Sequence, residues 1–315
     1  MKFVPLLSLF SLLWALGACS NDESLSTEER VPICLTASNI GVETRVTGNV
    51  QNTQIAEGEK VYAWVDAVDG EANYIKAWAL TATDTESSEN SGNYNLTGTT
   101  QYYPLNHRNI NLYAVHGNFT EAITEGTTER PTTLTHTVET NQSSSANYQK
   151  SDLLYVASSN ITFGTNPVSL TFSHLLSRIV IRLKQDNTRI RFNEEEKLKN
   201  STLTIEGTMY HQGTLSVSDG SFTINNTATT NALTVASGEN LLFYNSESES
   251  TTQYCAILPP QRLANGKITI TTSTGSTASG TIPTLTMASG TAYVLTVTLT
   301  DLTLTVDTEK YTEQW

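Results

Sequence analysis

Leu16-Gly17-Ala18-Cys19 sets a thiol directly behind two small residues. Small side chains suit the narrow cleft of a signal peptidase, and the thiol of Cys19 can take a diacylglyceryl group. The residues ahead of it fit that chemistry. Lys2 gives a short basic start, and Phe3 to Leu13 are apolar apart from Pro5, Ser8 and Ser11. This run is shorter than the about 20 apolar residues that span a bilayer, so it reads as the hydrophobic region of a secretion signal. Residues 1–18 are therefore expected to be a lipoprotein signal peptide, with Cys19 as the lipidated residue. An ordinary secretion signal with a chance cysteine is the alternative. Several acyl chains, at about 0.8 kcal/mol per buried CH₂, would anchor the chain stably. The polar, acidic residues 19–30 then read as a lipidated tether.

The remaining reactive side chains form no catalytic pattern. Cys34 and Cys255 could join as a disulfide in an oxidising compartment, or stay as two buried free thiols. They have no CxxC or Cys/His spacing for zinc. His107, His116, His136, His174 and His211 are scattered. His174 follows Ser173, which suggests either a base beside a nucleophile or a histidine packed at a strand end. Asp66, Asp69 and Glu71 offer oxygens to calcium but lack the EF-hand spacing. Glu194-Glu195-Glu196 reads as a solvated face. Trp64, Trp78 and Trp315 could form a sugar platform or pack in the core. No GxSxG elbow, P-loop or HExxH occurs. The expectation is a non-enzymatic chain with no catalytic residue, no metal and no cofactor. A net charge of −13 gives no electrostatic reason to bind nucleic acid or anionic lipid headgroups.

The elements that would carry these residues are strands. Threonine and serine are abundant, and β-branched threonine packs well on a pleated surface. Val31, Ile33, Leu35 and Ala37 alternate with polar or small residues, as in a half-buried strand. Further strands are expected at 60–65, 111–115, 152–157, 168–172, 178–184, 201–205, 213–217, 240–244, 253–258 and 267–272. Turn residues at this spacing argue for sandwiches or barrels rather than βαβ units. One short helix is expected, at Asn193 to Lys199. The polar stretch Asn160 to Asn166, with Gly164 and then Pro167, reads as the seam between two halves, 31–166 and 167–315. Near the C-terminus Leu295, Val297 and Leu299 alternate on one parity, and Leu302, Leu304 and Val306 on the other. A one-residue slip exchanges the faces of a strand. Either a bulge lies at Thr300-Asp301, or one strand ends there and a new extended segment begins.

Several segments together resemble the fimbrillin family of Bacteroidetes, the subunits of protease-assembled pili. Gly58-Glu59-Lys60-Val61-Tyr62-Ala63-Trp64 is similar to the family's early G-D-x-V strand. Tyr102-Tyr103-Pro104 with Leu112-Tyr113-Ala114 resembles its YYP and YAY pair, although Val115-His116 departs from the usual second aromatic. Asp152-Leu153-Leu154-Tyr155 resembles DLLYA. Phe172-Ser173-His174, with Ser177-Arg178, resembles the F-x-H-x-x-S/A-K/R hallmark. Pro259-Pro260-Gln261 matches PPQ, and Gly290 with Tyr293 resembles the closing G-x-x-Y. Ser20-Asn21-Asp22-Glu23 is similar to the surface-export tag of Bacteroidetes lipoproteins.

The resemblance implies an all-β chain of two transthyretin-like β-sandwich domains in tandem, lipid-anchored in the outer membrane at the cell surface and incorporated into a fimbrium after processing. A trypsin-like protease would cut after Arg45, with Arg30 as the rival site. The cut would release a first strand carrying Val31, Ile33 and Leu35. The vacated groove would accept a donor strand, here Leu302, Leu304 and Val306, from the next subunit. Other pilus subunits are the implied partners, with a host or bacterial surface ligand besides. Tip or anchor subunits that do not polymerise, and a surface glycan-binding lipoprotein, are the alternatives. A Cys34–Cys255 bond would staple the first strand to the second half and oppose its release.

Overall fold

The computed structural model describes residues 30–39, 58–84, 93–185, 198–244, 253–300 and 303–314. They form an all-β molecule with one short helix. The first half runs β1 (Leu35–Asn39), β2 (Lys60–Ala67), β3 (Ile75–Asp84), β4 (Asn93–Gly98), β5 (Ile110–His116), β6 (Thr133–Thr137), α1 (Ser145–Ser151), β7 (Leu154–Ile161) and β8 (Val168–His174). In the order β1-β4-β3-β2-β5-β7-β8, its strands close into a barrel. The alternation in the sequence explains the inner face. In β8, Val168, Leu170, Phe172 and His174 are buried, while Ser169, Thr171 and Ser173 face solvent. Closure leaves the barrel no open edge to template aggregation.

The second half runs β9 (Ser177–Gln185), β10 (Ser201–Tyr210), β11 (Gln212–Ser216), β12 (Phe222–Ile224), β13 (Thr229–Glu239), β14 (Tyr254–Leu258), β15 (Arg262–Leu263), β16 (Lys267–Thr271), β17 (Thr277–Thr281), β18 (Leu285–Thr286), β19 (Thr291–Thr300) and β20 (Thr303–Gln314). Its large sheet has the order β13-β10-β16-β17-β20-β19-β9-β14. A small sheet, β12-β11-β6, takes its last strand from the first half. The strap 140–142 also crosses over. Thr234 donates its N–H to Thr140 O and accepts from Gln142 N, both at 2.8 Å. A shared apolar cluster, including Trp64, Val115, Leu153, Val180, Ile257 and Val294, fills the seam between the halves.

Several elements differ from the sequence reading. The barrel passes into the second sheet between His174 and Ser177, beyond the seam expected at 166, because β8 pairs with β1 and β7. The helix seen is Ser145–Ser151, capped by Ser144, whose side chain accepts from Asn147 N. It was not expected. Of the helix expected at Asn193 to Lys199, residues 193–197 lie outside the described residues. Residues 240–244, expected as a strand, run without ladder pairing. At the C-terminus the second alternative holds. β19 ends at Thr300, and β20 returns antiparallel along it.

Candidate functional site

β1 is the stave that closes the barrel. It pairs antiparallel with β4 from Leu35↔Leu96 to Ser38↔Asn93. On its other side it pairs parallel with β8, from Leu35↔Val168 to Asn39↔Phe172. The chain just ahead continues along the barrel: Tyr103 N donates to Val31 O at 2.9 Å, and Ile33 N donates to Gln101 O at 2.8 Å. Ile33, Leu35 and Ala37 are 4%, 3% and 3% exposed, and they pack into the barrel core beside Leu96, Leu170 and Phe172. Val31 is half-buried against the same core. Burying a side chain the size of Ile33 or Leu35 stabilises by about 1.5–3 kcal/mol as an upper bound. Removing β1 would part β4 from β8 and leave a groove lined by those pockets. Arg30, immediately ahead, is exposed. Arg45 lies outside the described residues, as does Cys19.

The terminal hairpin is the second part of the site. β20 pairs with β19 from Thr300↔Thr303 through Val297↔Val306 to Thr291↔Gln314, with one shift between Ala292 and Val294. Leu304 and Val306, 6% and 8% exposed, sit in the core of the second half; Leu302 lies outside the described residues. On its other side β20 pairs with β17 through Ser279↔Thr303. A Cβ at Gly280 would overlap the backbone of Leu304, so glycine permits this approach. Within one copy, the segment expected as a donor therefore occupies its own sheet.

The hallmark residues converge on the seam and α1. His174 Nδ1 lies 2.9 Å from the Asp152 carboxylate, buried, while Ser173 faces the opposite side of its strand. That separation removes the base-and-nucleophile reading. Two further buried histidines approach the end of α1. His116 sits 2.9 Å from Lys60 O and 3.2 Å from Gln149 O. His136 accepts from Asn118 N at 3.1 Å and lies 3.0 Å from Ser151 O. Burial pulls the His136 pKa down to about 4, against weaker raising influences from Ser151 O and Asp152. Of the carbonyls so contacted, Ser151 O lies in the last turn of α1, where no intrahelical partner is available, and Gln149 O also accepts from Asp152 N. Arg178 is also buried and donates to Cys255 Sγ at 3.1 Å. Burial by itself would lower its pKa, but Cys255, Tyr148 and Asp152 hold it above the ordinary value.

Two glutamines act as plugs on strand ends. Gln261, from the Pro-Pro-Gln segment, accepts from Tyr210 N and donates to Tyr210 O, both at 2.8 Å. Gln142 does the same to Ile257 on β14, again at 2.8 Å each. An amide so placed imitates one rung of a ladder and closes an edge to pairing. The role of Gln142 carries no sequence signal, because its partner is 115 positions away.

Other candidate residues have structural roles. Trp64 and Trp78 are buried, and Trp64 Nε1 donates to Thr128 O, so they form no exposed sugar platform. Asp66 is occupied by Arg130 at 2.9 Å and Asn73 N at 2.7 Å. No group of three metal-ligating side chains occurs among the described residues. Cys34 and Cys255 are free thiols, one exposed and one buried; the disulfide alternative is not formed.

The comparisons with known proteins bear on the whole of this arrangement. Residues 44–315 match the fimbrillin-like family, leaving β1 outside the match. Among solved structures, a protein described as a cell adhesion protein from Bacteroides uniformis superposes with a TM-score of 0.62 at 18% identity, covering 91% of this chain and 99% of that one. Another so described, from Bacteroides ovatus, gives 0.61 at 18% identity, with 91% and 98% covered. A fimbrial protein from Bacteroides vulgatus gives 0.45 at 18% identity, with 91% and 100% covered. No curated protein sequence matches. The family match extends over both halves, from the chain just after β1 to the terminal hairpin, and the protein belongs to the fimbrillin-like family.

Proposed function

We propose that this protein is a structural subunit of a surface pilus that supports adhesion. It is exported as a lipoprotein, lipidated on Cys19 and held at the outer membrane. A trypsin-like protease cuts after Arg45 and frees β1, and a strand from the next subunit fills the vacated groove. Leu302, Leu304 and Val306 are the donor side chains, and the two halves correspond to tandem transthyretin-like domains. The observation that carries this reading is the seating of β1. It is joined to the barrel through two ladders and a short row of apolar side chains, which is the form of contact that β-augmentation by another chain can reproduce. The role is structural rather than enzymatic.

Limited trypsin digestion of the chain beginning at Ser20 tests it, read by intact mass and by a non-boiled gel. A single cut after Arg45 followed by a ladder of heat-sensitive multimers is the expected result. A clean cut without multimers assigns a tip or anchor role. A chain that resists the cut and stays monomeric overturns protease-triggered assembly. Cutting only after Arg30 would leave β1 in place and count equally against it.

A further inference from the structure

Against a net charge of −13, one cleft at an end of the barrel gathers two arginines. It has a volume of about 630 Å³ and lies between the β2–β3 turn and the loop 101–108, with Arg30 entering from the chain ahead of β1. The size falls within the roughly 300–1,000 Å³ of small-ligand sites. Arg30 and Arg108 line it, and Glu71 is its one carboxylate. Its walls include Tyr74 and Tyr102, both half-exposed.

The lining is held in place by contacts of its own. The Arg108 guanidinium donates to Asp69 O. Tyr74 Oη donates to Tyr102 O at 3.1 Å, and the Arg30 guanidinium stands 5.7 Å from the centre of the Tyr102 ring. Asp69, Asn73 and His107 in the flanking loops have φ of 53°, 54° and 55°, a left-handed turn conformation that Asp, Asn and His accept more readily than other non-glycine residues. His107 is fixed further by a ring contact with Phe163 at 4.4 Å. Loops at the end of a rigid β scaffold are where binding residues gather.

We propose that this cleft binds an acidic oligosaccharide, with a sugar carboxylate on Arg30 and Arg108 and neighbouring hydroxyls on Gln101 and Asn106. A guanidinium can hold a carboxylate through two parallel hydrogen bonds. The tyrosine rings offer apolar faces to sugar C–H groups. The barrel is closed, so an extended peptide would find no strand edge here and would lose the main-chain ladder on which peptide capture depends. The cleft is complete only while the chain ahead of β1 is in place, since a cut after Arg45 would carry Arg30 away with β1; the inference therefore concerns the uncut chain and goes beyond the proposed assembly. The binding itself needs no assembly, so each can fail without the other.

The test is calorimetric titration of the chain beginning at Ser20 with trigalacturonate, its fully methyl-esterified form, and a tri-glutamate peptide at low salt. The acid should bind at least tenfold more tightly than either control. Arg108→Gln and Arg30→Gln should each weaken it about tenfold. Glu71→Gln, at an exposed position where the fold is not at stake, should strengthen it about threefold by removing a like charge. Equal affinity for acid and ester, equal affinity for the peptide, no heat with the acid at millimolar concentration, or weaker binding by Glu71→Gln would each overturn the proposal.

Discussion

His136 shows how one side chain ties stability to pH. It is fully buried and neutral in the fold, with Nδ1 accepting from Asn118 N and Nε2–H directed at Ser151 O. A proton on Nδ1 would break the first contact. With the folded pKa near 4 against 6.5 for the free side chain, the unfolded chain binds the extra proton between those values. The stabilisation is therefore complete above pH 6.5 and is lost as pH falls toward 4, by about 3 kcal/mol. Urea unfolding between pH 7.5 and 4 should show a falling midpoint. His136→Asn should lower stability at pH 7.5 and flatten the pH dependence relative to the unmodified chain. Parallel curves for the two proteins would rule out His136 as the cause. The residue's role was hidden in the sequence because its partners lie on a loop and on α1, and nothing local to Thr135-His136-Thr137 points to them.

At the scale of elements, many strands were legible, but β3, β4, β6, β13 and β17 were not, and the partners of none were. Period-two alternation marks β8 without further help, since one face is buried along its whole length, whereas β19 is buried on both faces over 294–297. The parity change at Thr300-Asp301 correctly signalled a new segment, but not that it folds back on β19. α1 was illegible for a physical reason. Ser145–Ser151 has no apolar stripe and buries only Tyr148 and Ser151; contacts from three histidines on other elements help to hold its end. β20 yields the prediction at this scale. Its approach to β17 depends on Gly280, where an added methyl would meet the Leu304 backbone. Gly280→Ala should cost about 1–3 kcal/mol through overpacking and loosen β20. Trypsin cleavage after Lys310, followed by mass spectrometry, should be faster in the variant. Unchanged cleavage would mean that the hairpin with β19, rather than the contact with β17, seats the strand.

For the whole molecule the question is whether β1 can leave without undoing the rest. The seam cluster draws on β2, β5, β7, β9, β14 and β19, among others, and on no residue of β1. Ile33, Leu35 and Ala37 instead belong to the barrel core. Loss of β1 should therefore open the barrel between β4 and β8 while the junction of the halves persists. The two thiols report on these regions separately. Cys34 is exposed just ahead of β1, and Cys255 is buried in the seam against Arg178. In the chain beginning at Ser20, a thiol reagent should modify one cysteine rapidly and the second only on denaturation. After a cut behind Arg45 and departure of the fragment, Cys34 should leave with it, and the remaining body should show no fast thiol. A Cys255 that becomes reactive at that point would mean that release of β1 loosens the seam. The barrel and the second sheet would then be coupled, and strand exchange would have to remodel both halves rather than one groove.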